Sequence, residues 1–454
     1  MAVEFINIDR ETPFLLPASV QDYISQQHLA RFITEIVSQL DLREMVVQYS
    51  GRGSKPWPPE MMVALLFYGY ATGVFSSRKL ERASHDSLSF RYICANTHPD
   101  HDSIATFRRR FAKQLEACFV QILLIAGTMG ALKLGAVSLD GTKVKANASR
   151  NKALSWEHAN KIEAQIKQEV ADLMRMSEEA DNTPVPDDMD IPAELARRED
   201  RLATIAKAKQ ELQLRAEQRH RREVAEYEET MAKRKRRTEE TGKKPAVKSP
   251  KPPADKAVPK PKDQLNLTDE ESRIMPSKGG FEQAYNGQVA VDIESYMVVE
   301  NHISQAPNDK REVAPALEKL TTLPDEIGRP TAMLADTGFC SESNVELCQD
   351  MGVVPYFAQA RQKHNPPLLE RFGPDPEPPD EAASGLGEMQ HRMKTKAGKA
   401  LYAKRKCTVE TVIGIIKHVL GFREFSMRGL DLAEAEWSMV CSAWNLKRMH
   451  MLVG

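Results

Sequence analysis

The sequence predicts a mixed α/β chain: a core of strands and helices, an all-α region ahead of it, and a charged helical hairpin inserted within it. Three observations carry that prediction. Apolar residues recur at helical spacing through much of residues 20–127. From about residue 283 onward, short alternating or apolar runs bounded by turn residues are interleaved with amphipathic stretches. Between the two, over about 155–240, the chain becomes strongly charged and keeps only thin apolar seams.

In the N-terminal region, "HLARFITEIVSQLDL" places Leu29, Phe32, Ile33, Ile36, Val37 and Leu40 on one helical face. "PPEMMVALLFYGYATG" starts on two prolines and stops at Gly73. "SSRKLERASHDSLSFRYIC" has a capping serine ahead of Arg78, and after the turn "NTHPDHDS" a further helix opens with Arg108, Arg109 and Arg110. Short helices joined by tight turns, with basic residues near two helix starts, suit a helix-turn-helix-like DNA-binding domain over 1–130. A plain helical bundle with a solvated basic face has the same pattern.

The next stretch, "SLDGTKVKANAS", reads as a half-buried strand: Val137, Leu139 and Val144 are apolar and alternate with polar neighbours. Asp140 stands inside it, immediately before Gly141. Aspartate is depleted in strands because its short side chain competes for backbone hydrogen bonds. It is therefore either a turn former or a carboxylate held rigidly for a metal ion. In the charged insertion, the seams Ile162, Ile166, Val170, Leu173 and Leu195, Leu202, Ile205, Leu212 predict two helices packed as a hairpin, with a break at Pro184 and Pro186. Residues 241–275 are rich in Lys and Pro and read as a flexible linker.

Order resumes with a hairpin of strands at about 283–292 and 296–304. A helix at "KREVAPALEKLTTL", a strand ending at Asp336 and a helix at "SESNVELCQDMG" follow. Then come the strand "VVPYFA", one amphipathic helix across "YAKRKCTVETVIGIIKHVLGF", and an apolar closing helix. With the insertion removed, the order is three strands and then helices alternating with two more, which is the element order of the RNase H-like fold, a mixed sheet with helices on its faces. Asp140 lies in its first strand, Asp336 at the end of its fourth and Glu410 in its last patterned helix. Carboxylates are the ligands that the hard ions Mg²⁺ and Mn²⁺ take, and two such ions serve in-line displacement at phosphodiesters. Asp140 would bridge the pair, with Asp336 and Glu410 each holding one ion. Glu410 and Lys417 are seven residues apart, two turns on one helical face.

"SLDGTKVKANAS", "LADTGFCSES" and "YAKRKCTVETVIGIIKHVLGFREFSMRG" together resemble the three motifs of bacterial insertion-sequence DDE transposases, in the group with a Tyr–Arg–Glu–Lys signature. "SSRKLERASHDSLSFRYICANTHPDHDSIATFRRRF" is similar to the N-terminal helical domain of that group. The resemblance implies an RNase H-like catalytic domain over 131–154 and 276–454, with catalysis at Asp140, Asp336 and Glu410 and two divalent ions, Mg²⁺ or Mn²⁺. It also implies phosphate contacts for Tyr402, Arg405 and Lys417. In the commonest form of the signature three residues separate the arginine from the glutamate. Here Lys406 occupies that position and Arg405 stands one residue earlier, so either can take the phosphate role. The expected partners are double-stranded DNA, both terminal inverted repeats and target, and a second copy of the chain in a synaptic complex.

Composition narrows the rest. The net charge is −1, so any nucleic-acid signal must be local. It is local: from Lys394 to Arg428, nine Lys and Arg residues face two acids, Glu410 and Glu424. A DNA backbone track that includes Arg428 is the functional reading, and a solubilising surface is the plain one. Six scattered cysteines without metal-ligand spacing suit a reducing compartment. No signal-peptide pattern and no membrane-length apolar run is present, so a cytoplasmic, nucleoid-associated protein without membrane contact is expected. Two alternatives share these features: a regulatory DNA-binding protein derived from such an enzyme, and an RNase H-like repair nuclease.

Overall fold

Strand periodicity becomes a sheet whose pairing places the carboxylates. In a computed structural model, residues 19–49, 55–179, 190–242, 249–277, 279–359, 373–378 and 384–453 are described. The expected break at Pro184 and Pro186 lies outside them. Their strands are β1 (Ala136–Lys145), β2 (Ala153–Ser155), β3 (Gln264–Asn266), β4 (Arg273–Ser277), β5 (Gly280–Asp292), β6 (Val298–Ser304), β7 (Ala332–Ala335) and β8 (Val354–Phe357). The chain divides into two units, Met1–Lys145 with Tyr285–Gly454, and Ala146–Ala284.

In the first unit β6 pairs antiparallel with β5, and the sheet continues from β5 to β1, β7 and β8. The pairs β1–β7 and β7–β8 are parallel. The fold is thus mixed α/β, with a mixed sheet flanked by helices. Central strands covered on both faces need apolar residues at consecutive positions, and all four residues of β7 are buried. The elements follow the expected order, with the hairpin, the helices Val313–Thr321 and Glu342–Asp350, and β7 and β8 at the expected places.

The closing helix, Leu430–Val453, is buried nearly all round, and polar side chains anchor it to the β5–β6 hairpin. Trp437 Nε1 donates to Gln288 O at 2.9 Å, and Asn445 both accepts from Val298 N and donates to Val298 O. Gly287 is required beneath it, because a Cβ there would stand 2.9 Å from the Trp437 ring. On the helix's other side, Glu436 is fully buried and accepts from Tyr70 Oη at 2.8 Å and from the backbone N of Ser426 and Met427. All described elements from Val20 to Thr128 are helical, and two of the expected long helices are broken. Ser77–Asp86 and Leu88–Ile93 part at Ser87, whose backbone is extended, and His101–Arg110 and Ala112–Thr128 meet at 73°. Among the described residues, no single helix is long and apolar enough to cross a membrane.

The second unit contains the expected pair of helices, Trp156–Glu179 and Ile191–Thr241. Ile166 of the first and Ile205, Ala208 and Leu212 of the second share a core with Leu154 and Leu265, while Ile162, Val170 and Leu202 pack at its edge. Glu163–Lys209 at 2.6 Å and Glu169–Arg198 at 2.8 Å flank the seam. Residues 241–275 are more than a linker. They supply β3, which pairs antiparallel with β2, and the start of β4, which pairs with the first residues of β5. Leu265 and Leu267 explain this: a Lys/Pro-rich composition hides a short apolar alternation that closes the base of the helix pair.

A buried charged group ties β6 to the helix that follows it. His302 Nδ1 lies 2.8 Å from Glu300 and Nε2 lies 3.1 Å from Glu312, with all three side chains almost fully buried. Burial works against the imidazolium, but the charge and hydrogen bond of Glu300, joined by Glu312, raise the His302 pKa to about 9. A group raised from 6.5 stabilises the fold fully below that value and loses its contribution as pH rises through about 9. Urea titrations should therefore show stability falling by about 3 kcal/mol across that window. His302→Gln should remove that slope, and an unchanged slope in the variant would assign it elsewhere.

Candidate active site

The parallel register of β1 and β7 pairs Val137 with Met333 and Ser138 with Leu334. Asp140 and Asp336 each stand two residues further along, so they end up side by side where adjacent parallel strands lie about 4.8 Å apart. Each uses its two oxygens differently. Asp140 Oδ1 accepts from Gly141 N at 2.9 Å, and Asp336 Oδ1 accepts from Gly338 N at 2.7 Å. The Asp336 bond reaches two residues on and forms a turn, whereas Gly141 directly follows Asp140 and both lie inside the continuous strand β1. The Oδ2 atoms face the same guanidinium: Arg405 Nη2 lies 2.9 Å from Asp140 and 4.0 Å from Asp336. At Asp336 the turn and ligand readings each have an oxygen of their own, while the turn reading of Asp140 does not hold, because β1 runs unbroken from Ala136 to Lys145.

The third carboxylate arrives through a helix break that periodicity conceals. The expected single helix across 402–422 is instead Lys396–Cys407 followed by Val409–Gly414 and a π turn, Ile415–Val419. Thr408 breaks it: its hydroxyl donates to Lys404 O and Arg405 O, capturing carbonyls at the helix end, and its backbone leaves helical space at φ −100°, ψ −90°. The break folds Glu410 back toward the preceding turn, where Arg405 Nη1 donates to Glu410 Oε1 at 2.7 Å. The π turn, in which Leu420 N bonds back five residues to Ile415 O, resets the helix face. Lys417 consequently reaches β1, where Nζ donates to Thr142 Oγ1 at 2.9 Å and Lys143 O at 2.7 Å.

The electrostatics follow from crowding. Burial pushes the Asp140 carboxyl up to about 6; Arg405 opposes the rise, and Asp336 and, more weakly, Asp309 add to it. Burial also raises the Tyr402 phenol, with Arg405 opposing and the charges of Asp336, Glu410 and Asp140 assisting, so Tyr402 shares the same field. The structure therefore brings Asp140, Asp336, Glu410, Arg405, Tyr402 and Lys417 together. Lys406 and Arg428 are exposed, as are Arg78 and Arg109 on the N-terminal helices, and among the described residues no hydrogen bond or ion pair ties Arg78 or Arg109 to the cluster. Arg108, expected on a DNA-facing surface, is instead buried: Nη1 donates to Tyr70 Oη and Phe75 O at 3.0 Å each, and it lies 4.0 Å from Glu436. Its charge balances the buried glutamate, a role that helical position alone could not reveal.

Sequence reasoning missed the support beneath Asp140. Asp309 Oδ1 accepts from Asn286 Nδ2 at 2.7 Å and Gln288 Nε2 at 2.6 Å, with Lys143 Nζ at 3.7 Å. Asp309 lies in "APNDK", which carries only a turn signal, and Gln288 reads as a polar residue of an alternating strand. No three His, Cys, Asp or Glu side chains among the described residues stand close enough, as placed, to hold a metal ion. What the three carboxylates share is a cation, the Arg405 guanidinium, and their hard oxygen donors suit a divalent ion in its stead.

Two family comparisons bear on these residues. Residues 18–110 match the model of a Transposase domain (DUF772), and residues 380–450 match a Transposase DDE domain. The second span holds Tyr402, Arg405, Lys406, Glu410, Lys417 and Arg428; Asp140 and Asp336 lie outside both. No curated protein and no solved structure matches the chain.

The Asp–Gly pair has a steric basis that can be checked. A Cβ on Gly141 would lie 2.6 Å from Asp309 Oδ1 and collide with the Gln288 amide, whereas one on Gly135 meets nothing within 4 Å. Gly141→Ala should cost about 1–3 kcal/mol by urea denaturation, the usual cost of overpacking, while Gly135→Ala stays within about 0.5 kcal/mol of the parent. Equal effects at the two glycines would remove the argument for close approach.

Proposed function

We propose, on the premise that this chain is an insertion-sequence DDE transposase, as its two family matches support, that it cuts DNA strands at the ends of its element. The released 3′-hydroxyl then joins to target DNA. The fold is read as RNase H-like over 131–154 and 276–454, with the helices of 1–130 as the end-recognition domain. The observation that carries the reading is the convergence of Asp140, Asp336 and Glu410 on one point, two of them set there by strand register.

In this reading Asp140, Asp336 and Glu410 hold two Mg²⁺ or Mn²⁺ ions. Such ions activate water near neutral pH and stabilise the attacking and leaving oxygens of phosphodiester displacement. The chain's own contribution is rigidity and charge. Asp140, inside β1, and Asp336, just past the end of β7, are each held by a backbone N–H donor, which limits how far either carboxylate must move. Tyr402, Lys417 and either Arg405 or Lys406 are assigned to the DNA phosphates beside the scissile bond. Arg428 extends that track, and Arg78 and Arg109 serve the terminal inverted repeats. Two element ends call for two copies of the chain, and the helix pair of 155–240 is assigned to that assembly. A protein that works on chromosomal DNA belongs with the nucleoid.

The test is cleavage of a duplex carrying the element's end, in Mg²⁺ or Mn²⁺. Asp140→Asn should slow cleavage roughly a thousandfold, the loss of several kcal/mol of transition-state stabilisation, while duplex affinity holds. Binding without cleavage by the parent protein would favour the regulatory alternative, and cutting indifferent to the end sequence would favour the repair nuclease. The phosphate track makes a separate prediction. Lys406→Gln and Arg428→Gln should each lower the slope of log affinity against log salt by about one, weakening all duplexes alike. An unchanged slope would leave those side chains as surface.

A further inference from the structure

The Arg405 guanidinium stands where the bound cations are proposed, and we infer that it is a built-in occupant of the carboxylate site, displaced when divalent ions enter. This inference rests on the metal-site reading above. Three contacts carry it. One planar group reaches Glu410 through Nη1 at 2.7 Å and, through Nη2, Asp140 at 2.9 Å and Asp336 at 4.0 Å. Its side chain is only 8 % exposed, so this is an interior placement and not a surface ion pair.

The physical need is plain. Carboxylates set side by side by strand register repel one another unless a cation lies among them. Asp140 is largely buried and its charge is costly if uncompensated, while Asp336 and Glu410 keep partial access to water. A single guanidinium leaves the group of three carboxylates with a net deficit of positive charge, so a dication is still drawn toward the site while Arg405 fills it. The exchange then replaces one positive charge by two or more, and releases a forked, permanently charged donor beside the place where phosphate is to bind. Arg405 thereby acts as a positioning residue. It keeps the carboxylates converged in the metal-free protein and lowers the apparent affinity for metal by the fraction of molecules in which it occupies the site.

The experiment measures Mn²⁺ binding to the full chain by electron paramagnetic resonance of the free ion, together with thermal melting with and without Mn²⁺. Arg405→Ala should bind Mn²⁺ roughly tenfold more tightly than the parent, because the competing occupant is gone. It should also melt lower in the absence of metal and gain more from Mn²⁺ than the parent gains. Arg405→Lys, which keeps a charge but loses the fork, should fall between the two and guards against misfolding of the alanine variant. Unchanged or weaker Mn²⁺ affinity in both Arg405 variants would overturn the inference. Asp140→Asn separates that failure from a deeper one. If Asp140→Asn weakens Mn²⁺ binding while the Arg405 variants do not tighten it, the metal site stands and the internal occupant does not. If Asp140→Asn leaves Mn²⁺ binding unchanged, the metal site itself fails, and the inference with it.

Discussion

Parallel pairing of β1 with β7 is the constraint on which the rest depends. Backbone hydrogen bonding sets which residues stand level, and a shift of one residue would turn a side chain to the opposite face of the sheet. With Ser138 opposite Leu334, the aspartates two residues on are delivered to neighbouring positions before any side-chain interaction is considered. Everything else at the site answers that placement. Gly141 is small so that Asp309 and Gln288 can approach from below, Arg405 supplies positive charge, and Thr408 breaks a helix so that Glu410 can join.

A second layer holds the sheet in place. The closing helix inserts Trp437 and Asn445 against the β5–β6 hairpin, and behind it Glu436 gathers Tyr70, Ser426 and Met427. A buried carboxylate of this kind is tolerated only when its lone pairs are filled and positive charge is near. Arg108 supplies that charge from the N-terminal helices. The polar interior therefore connects those helices to the segment that follows Lys417, and it does so with residues whose types look like surface residues.

Legibility in the sequence followed the range of the interaction. Strand and helix order could be read because periodicity is local: the seams of Ile162, Ile166 and Val170 against Leu202, Ile205 and Leu212 are a case where pattern and packing agree. Asp140 stood out because aspartate is depleted inside strands, and Asp336 because it closes an apolar run at the matching place in the element order. The interruptions were not legible. The break at Thr408 and the π turn at Ile415–Val419 leave the apolar spacing nearly intact, so periodicity reads straight through both. Nor could spacing tell that Arg405 points inward and Lys406 outward, or that Arg108 is buried while Arg109 is exposed, because side-by-side arginines differ only in what the fold brings opposite them. Asp309, a turn residue in sequence, gained its place through Asn286 and Gln288 of β5 and Lys143 of β1.

One detail of the second unit bears on how such a chain can fold. Ala146 N donates to Gln283 O at 3.0 Å, so the unit returns its exit to its entrance. An open loop of that length would charge the β1–β5 pairing an entropy that grows with the logarithm of chain length. A unit that packs its own helix pair and pairs β2 with β3 can offset that cost by its own folding. Once that unit has folded and joined Ala146 to Gln283, an insertion of well over a hundred residues closes as a hairpin turn would.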